Sequence, residues 1–268
     1  MNTRQFILAG ILALTAVVSQ PKIVFSYNAE DLSRIAKEVT VIIDGQDLAS
    51  GVIISHRGDD YTVLTNWHAF KSPENDTITT RDGVKHQIKV ASIRRIGKLD
   101  LAIFTFTSNK FYRVAELGNS DTISEGSPLY VTGAPANLQG INSRSLLVVS
   151  GQLVGFDTPA QNGYTLVYSN NTMPGMSGGS VIDKNGNLVG IHGVGSRDTN
   201  GQKAGFNLGI PINLFVTNAD QMGIKYTATY QQLDRQTPTL TQPTFLRGRP
   251  TEVNGSENTN GACAGEKC

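Results

Sequence analysis

Cysteine is almost absent. The chain of 268 residues has two, Cys263 and Cys268, both in the extreme tail. A bridge between them would close only a small loop there, so the core is expected to hold together without disulfides. The pair reads equally as a clasp in an exported chain and as a tail with no structural role. Charge is also sparse, and it is balanced: 23 Lys and Arg stand against 22 Asp and Glu, for a net charge of +1. Such a balance gives no argument for nucleic acid or an anionic membrane as partner. One local excess of cations, "RDGVKHQIKVASIRRIGK" over residues 81–98, reads as a solvated strand face or as a surface that attracts acidic substrates. Histidines are few, and His56, His68, His86 and His192 show no metal-ligand spacing. No metal and no organic cofactor is expected.

Long apolar runs are missing as well, with one exception. "MNTRQFILAGILALTAVVSQ" carries Arg4 and then an apolar run from Phe6 to Val18. That run suits a signal-peptide core and falls short of the roughly 20 residues of a membrane-spanning helix. Ser19 and Ser26 offer small residues for cleavage, but no Ala-x-Ala site is present. Residues 1–26 are therefore read as a signal peptide or an N-terminal anchor, and the chain as secreted or periplasmic. The mature form is expected to lack an integral membrane span.

Helical periodicity is scarce. "NAEDLSRIAKEVTVIID" reads as a short helix running into a strand, and "PINLFVTNAD" as one late helix. Between them come short β-rich runs: "GVIIS", "YTVLTN", "HQIKVASI", "LAIFTF", "PLYVTG", "SLLVVSGQLVGF", "YTLVYS", "GSVID", "LVGIHG" and "FNLGIPI". Turn signals such as "RGDD", "RDG" and "DKNGN" separate them. The pattern is all-β and too long for one small barrel. Two barrels side by side fit, about 38–115 and 120–226, within a domain of 27–229. From residue 230 the chain turns rich in Thr, Pro, Gly and Asn and is expected to be disordered to 268.

Three stretches carry chemistry. "YTVLTNWHAF" presents His68 at a strand end, "GKLDLAIFTF" presents Asp100 at a strand head, and "PGMSGGSV" places Ser177 in a glycine-rich bend. A serine hydroxyl is a weak nucleophile, so an imidazole must take its proton and later pass it to the leaving group. A carboxylate fixes the tautomer of that imidazole and stabilises its cation. Two backbone N–H groups, here of Gly175 and Ser177, would hold the oxyanion. Gly175 lets a substrate carbonyl approach its amide because it has no side chain. The run from Gly175 to Gly179 also fits the Gly-x-Ser-x-Gly elbow of α/β-hydrolases, but that motif needs a helix after the serine. "SVIDKNGNLVGI" follows instead, a strand, a turn and a strand.

These motifs, in this order, resemble those of the chymotrypsin-fold serine proteases, the trypsin-like family. "TNWHA" is similar to the family's Thr-Ala-Ala-His segment, "DLAIF" to its Asp-Ile/Leu-Ala strand, and "GMSGGSV" to its Gly-x-Ser-Gly-Gly/Ser bend. The resemblance covers about residues 38–226. It implies two six-stranded antiparallel β-barrels packed side by side, with His68 and Asp100 from the first and Ser177 from the second. It implies a serine endopeptidase acting on polypeptide substrates through an acyl-enzyme. A different class of function, a non-catalytic or latent binding module on the same fold, is the alternative.

Two departures bear on specificity and activation. Trypsin frees an Ile-Val-Gly-Gly terminus that pairs with an Asp before the nucleophile; here that neighbour is Met176 and no such terminus appears. The chain looks more like bacterial secreted members that lack this switch. The resemblance also implies that "GIHGVG" forms a pocket wall, with Gly193 and Gly195 offering backbone to the substrate. The family's glutamyl endopeptidases place a threonine five residues before the nucleophile and a histidine 15 after it, as Thr172 and His192 stand here. Cleavage after Glu or Asp is the expected preference. Asn171 occupies the place where a trypsin-like choice would need an acid.

Overall fold

Asn28 opens the first helix. Its side chain accepts the Asp31 N–H and caps α1 (Ala29–Val39), whose buried stripe is Leu32, Ile35, Ala36 and Val39. The β-branched run that follows cannot extend the helix cheaply, and β1 (Thr40–Asp44) begins at once. The fold is described from a computed structural model for residues 27–70, 76–136, 143–158 and 161–227. Every described residue lies in one compact unit. The segments read as signal peptide or anchor and as disordered tail, with Cys263 and Cys268, lie outside the described residues.

Thirteen strands and two helices make up the described part. The first sheet holds β1, β2 (Ala49–Arg57), β3 (Asp60–Thr65), β4 (Thr77–Thr79), β5 (Lys85–Gln87), β6 (Arg94–Arg95) and β7 (Ala102–Thr107). Its strand order is β5-β4-β1-β2-β3-β7-β6, and every pair is antiparallel. The second is a closed barrel, in the order β10-β13-β12-β11-β8-β9. It is built from β8 (Pro128–Gly133), β9 (Leu147–Phe156), β10 (Leu166–Tyr168), β11 (Ser180–Ile182), β12 (Leu188–Arg197) and β13 (Lys203–Pro211). α2 (Ile212–Gln221) follows directly and buries Ile212, Phe215 and Ala219.

The all-β, chymotrypsin-like architecture expected from the sequence is present: the second sheet is a closed six-stranded barrel, and the first is a half-barrel. There the sheet has seven strands and its ladder does not close among the described residues. The reason lies in "HQIKVASI", expected as one strand. Pairing ends at Gln87, and residues 90–92 form a 3-10 turn. The Lys89 N–H leaves the ladder and donates to the Thr105 carbonyl of β7, 2.9 Å away. Alternation stops at Ile88, since Val90 is exposed and gives no apolar reason to stay in the sheet.

Apolar burial explains how the sheets are joined. One cluster is private to the first sheet, around Ile43, Ile53, Val63 and Phe104. Another is private to the barrel, around Leu129, Leu153, Tyr168 and Met176. A third spans both, taking Val52, Ile54 and Leu64 from the first sheet and Ile182, Leu188, Ile191 and Ile210 from the barrel. Both helices add to this shared core through Leu32, Ala36 and Phe215. It fixes how the first sheet and the barrel meet, which is what a site at their seam requires.

Candidate active site

β3 ends at Thr65, and Asn66 leads into a single 3-10 turn, Trp67–Ala69, that carries His68. Asn66 ties this turn to the neighbouring strand, its side-chain amide donating to the Asp100 carbonyl at 3.0 Å. Asp100 sits just before β7. One of its oxygens accepts the His68 backbone N–H at 2.9 Å. The other lies 2.6 Å from His68 Nδ1. A carboxylate can only accept, so Nδ1 carries the proton and Nε2 has a free lone pair. The carboxylate side chain is 13% exposed and the imidazole 38%, so the ring keeps an open edge.

A third donor reaches Asp100 from the barrel. The Tyr164 hydroxyl donates to the same oxygen that faces Nδ1. Burial raises the Asp100 carboxyl, but the hydrogen bonds from His68 and Tyr164 outweigh it and hold the group below the usual carboxylate range. The Tyr164 hydroxyl is itself pushed up, by burial first and then by Asp100. Its ring passes through space that only a glycine leaves. A Cβ on Gly193 would stand 1.9 Å from Tyr164 Cε1.

The glycine-rich bend is pressed onto the strands that deliver His68. The Ser177 carbonyl accepts the Ser50 N–H of β2 at 2.8 Å. A Cβ on Gly178 would lie 2.1 Å from both the Ser50 carbonyl and Thr65 Oγ1. The Ser177 hydroxyl donates to the Gly193 carbonyl, 2.7 Å away, and not to His68. Gly175 has φ +92°, and its carbonyl accepts from Ser50 Oγ at 3.0 Å. Among the described residues, neither the Gly175 nor the Ser177 N–H donates to a protein acceptor. Met176 lies wholly buried in the barrel core, its backbone against Gly133. An apolar anchor thus supports the bend where trypsin uses an ion pair.

Arg144 was not foreseen. Its guanidinium donates to the carbonyls of Ile43, Ala49, Ala134 and Pro135 and pairs with Asp44 at 2.6 Å. It also reaches the Gly175 carbonyl at 3.5 Å. One planar fork thereby ties the first sheet, the end of β8 and the bend together.

The residues expected to shape specificity sit in a polar cluster behind the bend. Thr172 is buried and gives its hydroxyl proton to Asn207 Oδ1 at 2.5 Å. His192 is buried, with Nδ1 2.6 Å from the Tyr168 hydroxyl. Burial first, then the Lys203 ammonium and His68, push His192 down to about 3. Gly195 pairs with Asn207 across β12 and β13. Lys203, also missed from the sequence, donates to the Thr172 carbonyl at 2.5 Å. No chemical motif marks Tyr164, Arg144 or Lys203, because each acts across elements far apart in the chain. Among the described residues, no group of three or more His, Cys, Asp or Glu could hold a metal ion. None of their helices is long and apolar enough to cross a membrane.

With this geometry, an open sheet and a closed barrel meet around His68, Asp100 and Ser177, and the fold is chymotrypsin-like. Residues 49–191 match the family of trypsin-like peptidase domains, and the chain belongs to that family of serine-type hydrolases. Among solved structures it is similar to the HtrA-type protease AlgW with a tripeptide, at 24% identity and a TM-score of 0.60. That match covers 74% of this chain and 64% of AlgW. AlgW with a decapeptide is similar at 19% identity and a TM-score of 0.59, over 74% of this chain and 68% of that one. At these identities the likeness speaks for the fold. The chain spans about two-thirds of the length of those proteases, 64% for the tripeptide complex. No curated protein matches the sequence significantly.

Proposed function

We propose that the protein is a serine endopeptidase in which His68 is the general base and acid, Asp100 orients it, and Ser177 is the nucleophile. The observation that carries this reading is the 2.6 Å contact of His68 Nδ1 with Asp100, beside a serine bend docked on β2 and on β3, the strand that leads to His68. Nε2 keeps its lone pair on the exposed side of the ring, where a serine proton must go. In the resting arrangement the Ser177 hydroxyl donates to the Gly193 carbonyl, and catalysis requires it to turn from there to His68. Attack on a peptide carbonyl forms the acyl-enzyme, and His68 passes the proton to the leaving amine. The uncommitted amides of Gly175 and Ser177 receive the oxyanion.

The peptides held by the HtrA-type proteases support polypeptides as the substrate class. A preference for Glu or Asp before the scissile bond is part of the proposal. It rests on Thr172 and His192 at the positions where glutamyl endopeptidases have a threonine and a histidine. Gly193 and Gly195 on β12 would present backbone to the substrate. Export through residues 1–26, to the periplasm or outside, completes the reading.

A fluorophosphonate probe and a peptide library test it. The folded wild type should label and cleave, and Ser177→Ala should do neither, with a loss of about 10⁴-fold or more in kcat. A folded wild type that neither labels nor cleaves would move the assignment to a non-catalytic or latent binding module.

A further inference from the structure

A pocket that selects a carboxylate needs a positive group facing it, and the two residues read from the sequence do not supply one. The Thr172 hydroxyl proton is committed to Asn207 Oδ1. Asn207 cannot turn its amide to release it, because its nitrogen donates to the Asn170 carbonyl. His192 is fully buried and neutral near pH 7, since its imidazole is pushed down to about 3. Its ring nitrogens are also constrained. The Tyr168 hydroxyl has one proton, and given to the Leu208 carbonyl at 3.1 Å it leaves His192 Nδ1–H as donor to the Tyr168 oxygen. Nε2 is then a lone pair, which a carboxylate would avoid.

The cation is on β13. Lys203 lies opposite Arg197 in the β12–β13 pair, and its stem runs beside Gly195, with Cε 3.6 Å from where a Cβ on that glycine would be. Its Nζ donates to the Thr172 carbonyl and to Asn171 Oδ1, at 2.5 and 3.4 Å. Both acceptors are neutral, and among the described residues no carboxylate pairs with this ammonium. Lys203 is exposed, so a ligand can reach it. From the strand pair that carries His192 and Gly195, its ammonium therefore reaches the residues five and six before Ser177, with hydrogen-bonding capacity left.

We infer that Lys203 is the specificity-determining residue of the pocket, and that its ammonium pairs with the carboxylate of an acidic residue before the scissile bond. This rests on the acid preference proposed above. Asn171, sharing the ammonium at 3.4 Å, is the partner that a substrate carboxylate would replace. Thr172 then holds Lys203 through its carbonyl, and His192 is a neutral polar neighbour of the same cluster. Hydrogen bonds to a charged group contribute enough to discriminate a substrate roughly 10- to 100-fold.

The test measures kcat/KM for two peptides that differ only by Glu or Gln before the bond, in wild type, Lys203→Gln and Lys203→Glu. The wild type should favour the Glu peptide roughly tenfold or more, and added salt should reduce that ratio. In Lys203→Gln the ratio should fall to about one, and in Lys203→Glu it should invert. A wild type that prefers Glu and a Lys203→Gln variant that keeps the preference would overturn the role of Lys203 and leave the acidic pocket standing. A wild type with no preference for Glu over Gln would overturn the acidic pocket and this inference together.

Discussion

At the scale of single residues, the most informative side chain is Tyr164. It donates to Asp100 from the other sheet, so the carboxylate has three donors: Nδ1 and the backbone N–H of His68, and this hydroxyl. Tyr164→Phe keeps the ring and removes only the donor. A hydrogen bond to a charged group contributes about 1.5–3 kcal/mol, so kcat/KM should fall by about tenfold or more. The Asp100 carboxyl should rise toward its ordinary value, and the acid limb of the pH–rate profile should move to higher pH. A pH–rate series on one peptide measures both, and an unchanged profile would reduce Tyr164 to a packing residue. Gly193→Ala should act alike from the other side, because its Cβ would displace the Tyr164 ring. His68, Asp100 and Ser177 were legible in the sequence because each sits in a short motif with its own chemistry. Tyr164 was not, since its function is created by a glycine 29 positions later and an aspartate 64 earlier. No local pattern encodes that meeting.

At the scale of elements, the sequence pattern predicted both helices and most strands, because apolar alternation and turn residues are local signals. It failed at the edges of the first sheet. β4, β5 and β6 are three, three and two residues long, too short to show a period. Arg144 escaped for another reason. It follows β8 and acts on β1, β2 and the serine bend together. Its side chain is 10% exposed, and an apolar replacement would leave several carbonyls and Asp44 without their donor. Arg144→Met should therefore lower unfolding stability by about 3 kcal/mol, read as a lower denaturant midpoint at unchanged slope. Arg144→Lys keeps the charge but not the fork, and should recover less than half of that loss. It should also lower kcat more than it raises KM, because the guanidinium reaches the bend that carries both the Gly175 and Ser177 amides. Full recovery by lysine would show that charge alone matters at this joint.

At the scale of the whole molecule, the apolar core shared by both sheets holds the seam, and His192 makes that seam sensitive to acid. The His192 N–H donates to the Gly179 carbonyl and its own carbonyl accepts the Gly178 N–H, so the ring is anchored directly behind the serine bend. Its folded pKa of about 3 lies below the ordinary imidazole value of about 6.5. Between those two values the unfolded chain binds a proton that the folded chain refuses, so stability rises with pH across this window and falls as pH drops through it. From pH 7 to pH 4 this one group should remove about 3 kcal/mol. Asp100, held below the usual carboxylate range, adds a loss of the same sign at still lower pH. Denaturant unfolding of wild type and His192→Gln at pH 7, 5.5 and 4 isolates the histidine, because Asp100 is present in both. The variant should be the less stable at pH 7, and the gap should narrow by about 3 kcal/mol at pH 4. Parallel curves would mean that His192 takes up its proton in the folded state. The ring would then be able to carry charge within the pocket, and the discrimination assigned to Lys203 alone would have to be shared between them.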